Sequence, residues 1–357
     1  MRKRRNIMAT VGVAILLLTA ACGDEDGGEA AGELTKIDFL QPLPKSISFY
    51  PLFVAEELGY FEDEGVEVNL LPSGDTSVPL AVVTGNADIG AAITPDIIVT
   101  LAEGEDLSLV YEHYQKNVFR IVVPGGSDVT SIPDLKGKKI GVTAAASGDA
   151  ALVQTALFEA GMNPETDIEM VVVGDGGPRV AIALEDGSID AYAGALSDLV
   201  AIQAEGIEFT SISPENLDIL PASSLIVTPE KAEELADPIA GFLRAWAKGT
   251  YVGMVNQDVV LEIARQEVPE ETTDDEFAEL FVDQAVQQQT PVGGEDAFGE
   301  LRPDTWVAIQ EQLIAGQLIK EVIEPNTFLD DQFLEAANDW DRAEVEQEVA
   351  DWAEENL

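Results

Sequence analysis

Shifted against itself by 102 residues, the chain repeats its own punctuation: ten of the 43 positions from 54 to 96 are identical to their counterparts, without a gap. Glu57 meets Glu159, Gly59 meets Gly161, Glu67 meets Glu169, Gly74 meets Gly176, Val78 meets Val180 and Ala81 meets Ala183. Gly85 then meets Gly187, Asp88 meets Asp190, Ala91 meets Ala193 and Asp96 meets Asp198. An acidic, alanine-rich composition inflates chance identities, so the positions matter more than their number. The glycines fall where a helix must end or a turn must tighten. A pattern recurring in this way describes two copies of one structural unit. The repeat predicts two similar lobes, each presenting the same loop-to-helix elements.

Each unit reads as α/β. Strand-like apolar runs alternate with helical stretches through the first two-thirds of the chain, the pattern of mostly parallel sheets flanked by helices. Lys36–Leu40 is the first expected strand. A helix follows from Tyr50, with Pro51 early in it and Gly59 at its end. Val66–Leu71 is the next strand, Val78–Thr84 a helix stopping at Gly85, and Ala87–Ile93 another strand. Between the lobes, Val118–Pro124 and later Ser223–Pro229 are β-rich runs ending at proline, read as two extended crossings that form a hinge. From about Pro229 the chain turns helical, as in Ala240–Lys248 and Thr305–Leu318.

The N-terminus has a basic head, Arg2 to Arg5, and an apolar run from Ile7 to Ala21, ahead of Cys22. This is a secretory signature, and the run falls short of the roughly 20 residues that span a bilayer. Cys22 is the only cysteine, so no intrachain disulfide is possible. The segment Leu18-Thr-Ala-Ala-Cys22 resembles a lipoprotein processing site, with Thr19 where leucine is usual. Cys22 is therefore the expected lipid-attachment residue, and an ordinary signal peptide is the alternative. Gly23–Gly32 is small and acidic and reads as a tether. The remainder is long enough for two cores. A formal net charge of −48 excludes nucleic acid as a partner. Such a surface repels itself in dilute buffer, and salt relieves the repulsion. A folded protein from a saline habitat is the expectation, a cation-binding surface the alternative.

The stretch Tyr50-Pro-Leu-Phe-Val-Ala-Glu-Glu-Leu-Gly-Tyr-Phe-Glu-Asp-Glu-Gly-Val-Glu-Val68 closely resembles the substrate-binding proteins for nitrate, alkanesulfonates, taurine and thiamine-pyrimidine precursors. Gly85–Gly90, Asp134–Val142 with Ala146–Asp149, Gly187–Ala191, Trp306–Ile319 and Asn326–Leu329 resemble later blocks of that family. The resemblance implies a two-lobed, type II periplasmic-binding-protein fold, α/β, closing on a ligand about a two-segment hinge. On this reading residues 1–21 are a signal peptide, 22–34 a tether and 35–118 the first segment of lobe 1. Residues 119–227 form the hinge and lobe 2, and 228–357 return to lobe 1. The implied protein is a monomer, anchored outside the cytoplasm through Cys22, that passes a small solute to the permease subunits of an ABC importer.

Ligands in α/β sheets sit at the carboxyl ends of strands, in a cleft that keeps water from a few polar contacts. Ser73-Gly74 follows a strand and precedes a helix, whose free N–H groups suit an anion or a polar ring edge. Thr94 and Ser197 are helix starts in the two lobes, although capping alone accounts for such residues. Ser147, Gly148 and Asp149 combine a strand end, small residues and a helix start, and the resemblance adds weight to them. Asp149 favours a cationic or donor-bearing ligand. Arg179 clamps an acidic group or makes a surface ion pair. Tyr50 and Tyr192 stack on a ring or belong to the core.

His113 is the sole histidine and, with no nucleophile beside it in sequence, reads as structural. No zinc-type Cys/His spacing, Gly-x-x-x-x-Gly-Lys or Gly-x-Ser-x-Gly occurs, and Pro178 and Arg179 spoil a dinucleotide fingerprint at Gly174. Neither catalysis nor a metal or cofactor is expected. The expected ligand is a nitrogenous heterocycle such as a thiamine-pyrimidine precursor, or a sulfonate or taurine-like compound. The rivals are a pyridoxal-phosphate-linked pyrimidine synthase, which the resemblance also brings in, and a sensory lipoprotein without transport.

Overall fold

Strand β1 (Thr35–Leu40) points Ile37 and Phe39 to one side and Leu40 to the other, and all three are buried. A strand covered on both faces belongs inside an α/β sheet. The computed structural model describes residues 34–72, 74, 77–145, 147–315 and 318–357. The signal segment, Cys22, Ser73 and Ala146 lie outside the described residues.

Helices α1 (Tyr50–Glu57) and α2 (Tyr60–Asp63) lead to β2 (Val66–Leu70), and α3 (Val78–Val83) to β3 (Ile89–Ile93). Helix α4 (Thr94–Ala102) then connects to β4 (Ser108–Tyr114). The second unit runs β5 (Arg120–Pro124), β6 (Lys139–Val142), α5 (Gly148–Glu159) and β7 (Glu169–Val172). It continues through α6 (Pro178–Glu185), β8 (Ala191–Gly194), α7 (Leu196–Ala204) and β9 (Phe209–Ser211). Helix α8 (Glu215–Asp218) carries the chain back to β10 (Ser223–Val227).

Among the described residues two five-stranded sheets result, ordered β2-β1-β3-β10-β4 and β7-β6-β8-β5-β9. Exchanging each strand for its repeat partner turns one order into the other. In both, the first three strands are parallel and the fourth runs antiparallel. The repeated residues do repeated work. Asp88 accepts the backbone N–H of Asp38 on β1 at 3.0 Å, and Asp190 accepts that of Lys139 on β6 at 2.9 Å. Gly59 and Gly161 take φ of 79° and 72°, Gly85 and Gly187 of 72° and 73°, the left-handed turn that ends a helix at glycine.

The hinge differs from the expectation. Most of Val118–Pro124 and of Ser223–Pro229 lies within the lobes instead of crossing between them, supplying β5 and β10, the antiparallel fourth strands. Ile121, Val122 and Val123 are buried and the strand joins a ladder, which an exposed linker could not offer. The crossings are the links before those strands, residues 115–119 and residues 212–222, the second of which carries α8.

One arginine binds both links. Arg302 donates through its guanidinium to Gln115 O (2.6 Å) on the first and Ile219 O (2.8 Å) on the second. Its Nε and backbone N–H donate to the carboxylate of Glu112 on β4 at 2.9 and 3.0 Å, and Trp306 Nε1 donates to the same carboxylate at 2.7 Å. Burial pushes the Glu112 carboxyl upward, and the Arg302 charge beside it opposes that push.

The helical C-terminal part comprises α9 (Pro229–Glu234), α10 (Ala236–Val255), α11 (Gln257–Glu267) and α12 (Asp275–Gln289). Helices α13 (Pro303–Ala315), α14 (Leu334–Asn338) and α15 (Arg342–Asn356) follow. Helix α10 lies on α1, and its Phe242 and Trp246 reach the ring of Phe39 at 5.3 and 5.7 Å. Gly249 allows the approach, because a Cβ there would collide with the Pro51 carbonyl. Helix α12 does more than return to lobe 1. It packs on the Ile47–Phe49 turn of lobe 1 and on α7 of lobe 2, where Leu196 and Val200 join the lobe 1 core.

Candidate ligand-binding site

The parallel strands of each sheet end in loops that start helices or lead to them. In lobe 1 these ends are Gln41 after β1 and Thr94 after β3; in lobe 2 they are Thr143 after β6, Gly174 after β7 and Ala195 after β8. Links between the lobes gather near them. Thr94 Oγ1 donates to Pro221 O (2.7 Å) and its N–H to Ala222 O (3.0 Å), both on the second crossing. Gln288 Oε1 accepts from Arg120 Nη2 at 3.5 Å, and Gln289 Nε2 donates to Ser48 O at 3.0 Å. The end of α12 thus touches the first strand of lobe 2 and the α1 entrance of lobe 1.

Several expected contact residues have other work. Asp149 is fully buried, and its carboxylate accepts the N–H (2.7 Å) and hydroxyl (2.8 Å) of Thr143. It ties the loop after β6 to the start of α5, which leaves it little to offer a ligand. Ser147 Oγ donates to Ala144 O at 2.7 Å and closes the same loop. Thr94 is buried and holds the crossing, as above. Tyr50 and Tyr192, expected to face a ring, are buried in the two cores. Their hydroxyls donate to Thr250 O (2.8 Å) and Gly174 O (3.1 Å), and burial raises both phenols above their ordinary value.

The others stay accessible. Gly74 is exposed with open space around it. Gly148 is exposed and lies under Phe119, whose ring a Cβ there would strike. Ser197 and Arg179 are exposed, and Arg179 makes no ion pair among the described residues. Ser73 lies outside the described residues.

Acids collect at the lobe 2 strand ends. Asp198 accepts the N–H groups of Gly176 (2.8 Å) and Ala195 (2.9 Å), holding two of the loops together. Burial pushes its carboxyl up, the two N–H groups pull it down, and the charges of Asp175 and Asp149 add to the push. Asp175 itself is exposed.

Two residues escaped the sequence reading. Gln41 and Gln289 are 1% and 3% exposed, and the side-chain oxygen of each has no hydrogen-bond partner among the described residues. The run Gln287-Gln288-Gln289 at the end of an amphipathic helix was the one visible signal.

A groove of about 750 Å³ lies elsewhere, between α5, α8 and α13, lined by Thr155, Phe158, Leu217, Leu220 and Ala308. It includes none of the strand-end loops. Among the described residues no cluster of His, Cys, Asp and Glu could hold a metal, and no helix is long and apolar enough to cross a membrane.

Comparison with known proteins adds the following. The family model described as NMT1/THI5 like matches residues 46–258. The riboflavin-binding protein RibY of Chloroflexus aurantiacus is 21% identical over 346 residues, 91% of this chain and 97% of that protein. The formylaminopyrimidine-binding protein of Halalkalibacterium halodurans is 24% identical over 314 residues, 84% of this chain and 92% of its own. The periplasmic aliphatic sulphonate binding protein SsuA of Escherichia coli superposes with a TM-score of 0.62 at 17% identity, covering 82% of this chain and 97% of that one. That likeness establishes the α/β periplasmic-binding-protein fold.

Proposed function

The chain belongs to the NMT1/THI5-like family, and from that premise we propose that it is the extracytoplasmic solute-binding lipoprotein of an ABC-type importer. Its two lobes close on a small organic solute, a nitrogenous heterocycle before a sulfonate. The carrying observation is the pair of sheets with one strand order, joined by two links and presenting their strand ends where the lobes meet. A ligand bridging two such halves shifts them toward the closed arrangement by its preference for that state. Support for a heterocycle comes from the relatives that align along nearly their whole length and are named for binding riboflavin and formylaminopyrimidine. Cys22 supplies the anchor in this reading, and a permease reads the closed shape.

A thermal-shift panel tests it. Riboflavin, an aminopyrimidine, taurine, methanesulfonate and nitrate are added to the folded chain. A true ligand at a hundred times its Kd stabilises by about 2.7 kcal/mol, a clear rise in Tm. A heterocycle is expected to give that rise. A flat response to the entire panel contradicts the proposal.

A further inference from the structure

We propose that the side-chain oxygens of Gln41 and Gln289 are ligand-contacting acceptors that select a donor-bearing, uncharged or cationic solute and reject oxyanions. The inference rests on the solute-binding reading above and assigns its selectivity to two residues.

The amide orientation is fixed at both positions. Gln41 Nε2 donates to Pro44 O at 2.9 Å and Gln289 Nε2 to Ser48 O at 3.0 Å. Flipping either amide would set oxygen against oxygen, so each Oε1 is committed to accepting. Both oxygens are buried without a donor among the described residues. A buried acceptor without a partner is costly, and a ligand N–H or O–H removes the deficit.

Their placement fits. Gln41 is the first residue past the carboxyl end of β1, where α/β sheets receive ligands. Gln289 ends α12, the helix that packs on both lobes. Their two amides bond the same segment between β1 and α1, and Tyr114 Oη donates to Ser48 O as well (2.6 Å), from the end of β4.

Lobe 2 presents the same preference through the negative charge of Asp175, which is exposed, and Asp198, which is half-buried, at its strand ends. Nearby cations are already engaged. Lys45 bonds Glu267 (2.6 Å) and Glu56 (3.2 Å), Lys116 donates to Gln287 O (2.6 Å), and Arg120 lies 3.6 Å from Asp218. Arg179 is the exception, exposed on the first turn of α6. A sulfonate would meet the glutamine acceptors on one side and carboxylate charge on the other, and neither glutamine oxygen could be satisfied by it.

Titration calorimetry with Gln41→Leu and Gln289→Leu decides the matter, using riboflavin and 4-amino-2-methylpyrimidine as donor-bearing probes and methanesulfonate as the oxyanion. The wild-type chain is expected to bind a donor-bearing probe at least about 100-fold more tightly than methanesulfonate. Each leucine variant should weaken that probe about ten-fold, the scale of one lost buried hydrogen bond, while remaining folded by circular dichroism. Methionine replaces glutamine if leucine does not fold. Unchanged probe affinity in both variants, or tighter binding of methanesulfonate by the wild type, overturns the assignment and leaves solute binding standing. A wild-type chain that binds no probe and gives a flat thermal panel fails at the earlier step, and both readings fall.

Discussion

Glu112→Ala is expected to destabilise the folded chain by about 3–5 kcal/mol, the cost of removing one partner of a buried ion pair. Glu112 is 1% exposed and accepts three hydrogen bonds, from the backbone and guanidinium of Arg302 and from Trp306. The methyl group left behind satisfies none of them. The guanidinium keeps its bonds to Gln115 O and Ile219 O but loses the charge that holds it in place. The start of α13 then comes away from β4, and both crossings lose their common tie. Urea unfolding of wild type and variant measures the loss as a shift in midpoint. Glu112→Gln, which keeps an acceptor and loses the charge, should fall between them. A loss under about 1 kcal/mol for the alanine variant would show that the network contributes little to the fold.

Acidification should act through His113, removing about 2 kcal/mol of stability between pH 7 and pH 5. The imidazole is buried among Phe49, Tyr114 and Trp246, with ring centroids 5.6, 5.0 and 5.5 Å away. Its Nε2 lies 2.8 Å from Ser223 Oγ, whose own hydrogen is donated to Ala92 O at 2.9 Å. Nε2 therefore carries the hydrogen, and a proton added at Nδ1 finds no acceptor among the described residues. Burial lowers the pKa from 6.5 to about 3. Below pH 6.5 the unfolded chain takes up a proton that the folded chain refuses. Stability is full above that point and declines as the pH falls toward 3. Carboxyls whose pKa burial raises, the buried Glu112 and the half-buried Asp96, Asp198 and Asp218, act with the opposite sign. The comparison is therefore with His113→Asn, whose stability should fall about 2 kcal/mol less over the same interval. Parallel curves would contradict the assignment of a neutral, buried ring.

The sequence carried the repeat because the repeat lives in local chemistry. Gly59, Gly85, Gly161 and Gly187 announce left-handed turns, and Asp88 and Asp190 stitch equivalent strands. Such roles depend on near neighbours, and near neighbours are visible in a sequence. The hinge was misplaced for the complementary reason. An apolar run such as Ile121–Val123 says strand, but only pairing partners distant in the chain say whether that strand crosses between lobes or sits inside one.

Residue roles at the strand ends show the same divide. Asp149 and Ser147 were recognised as loop-to-helix residues, yet whether their oxygens face a ligand or their own loop depends on the fold of that loop. Tyr50 and Tyr192 carry no mark that separates a core ring from a stacking one. Gln41 and Gln289 are legible only after folding, since their distinguishing property is a donor that fails to arrive. Helix α12 gave no sign in its pattern that it would pack on lobe 2 as well as lobe 1.

Closure of two lobes on one solute is the central claim, and small-angle X-ray scattering of the folded chain tests it most directly. Data are collected without ligand and with a compound that the thermal panel identifies, at saturation. A smaller radius of gyration at unchanged mass is predicted with the compound bound. Superimposable curves, with saturation verified by calorimetry on the same sample, would contradict closure.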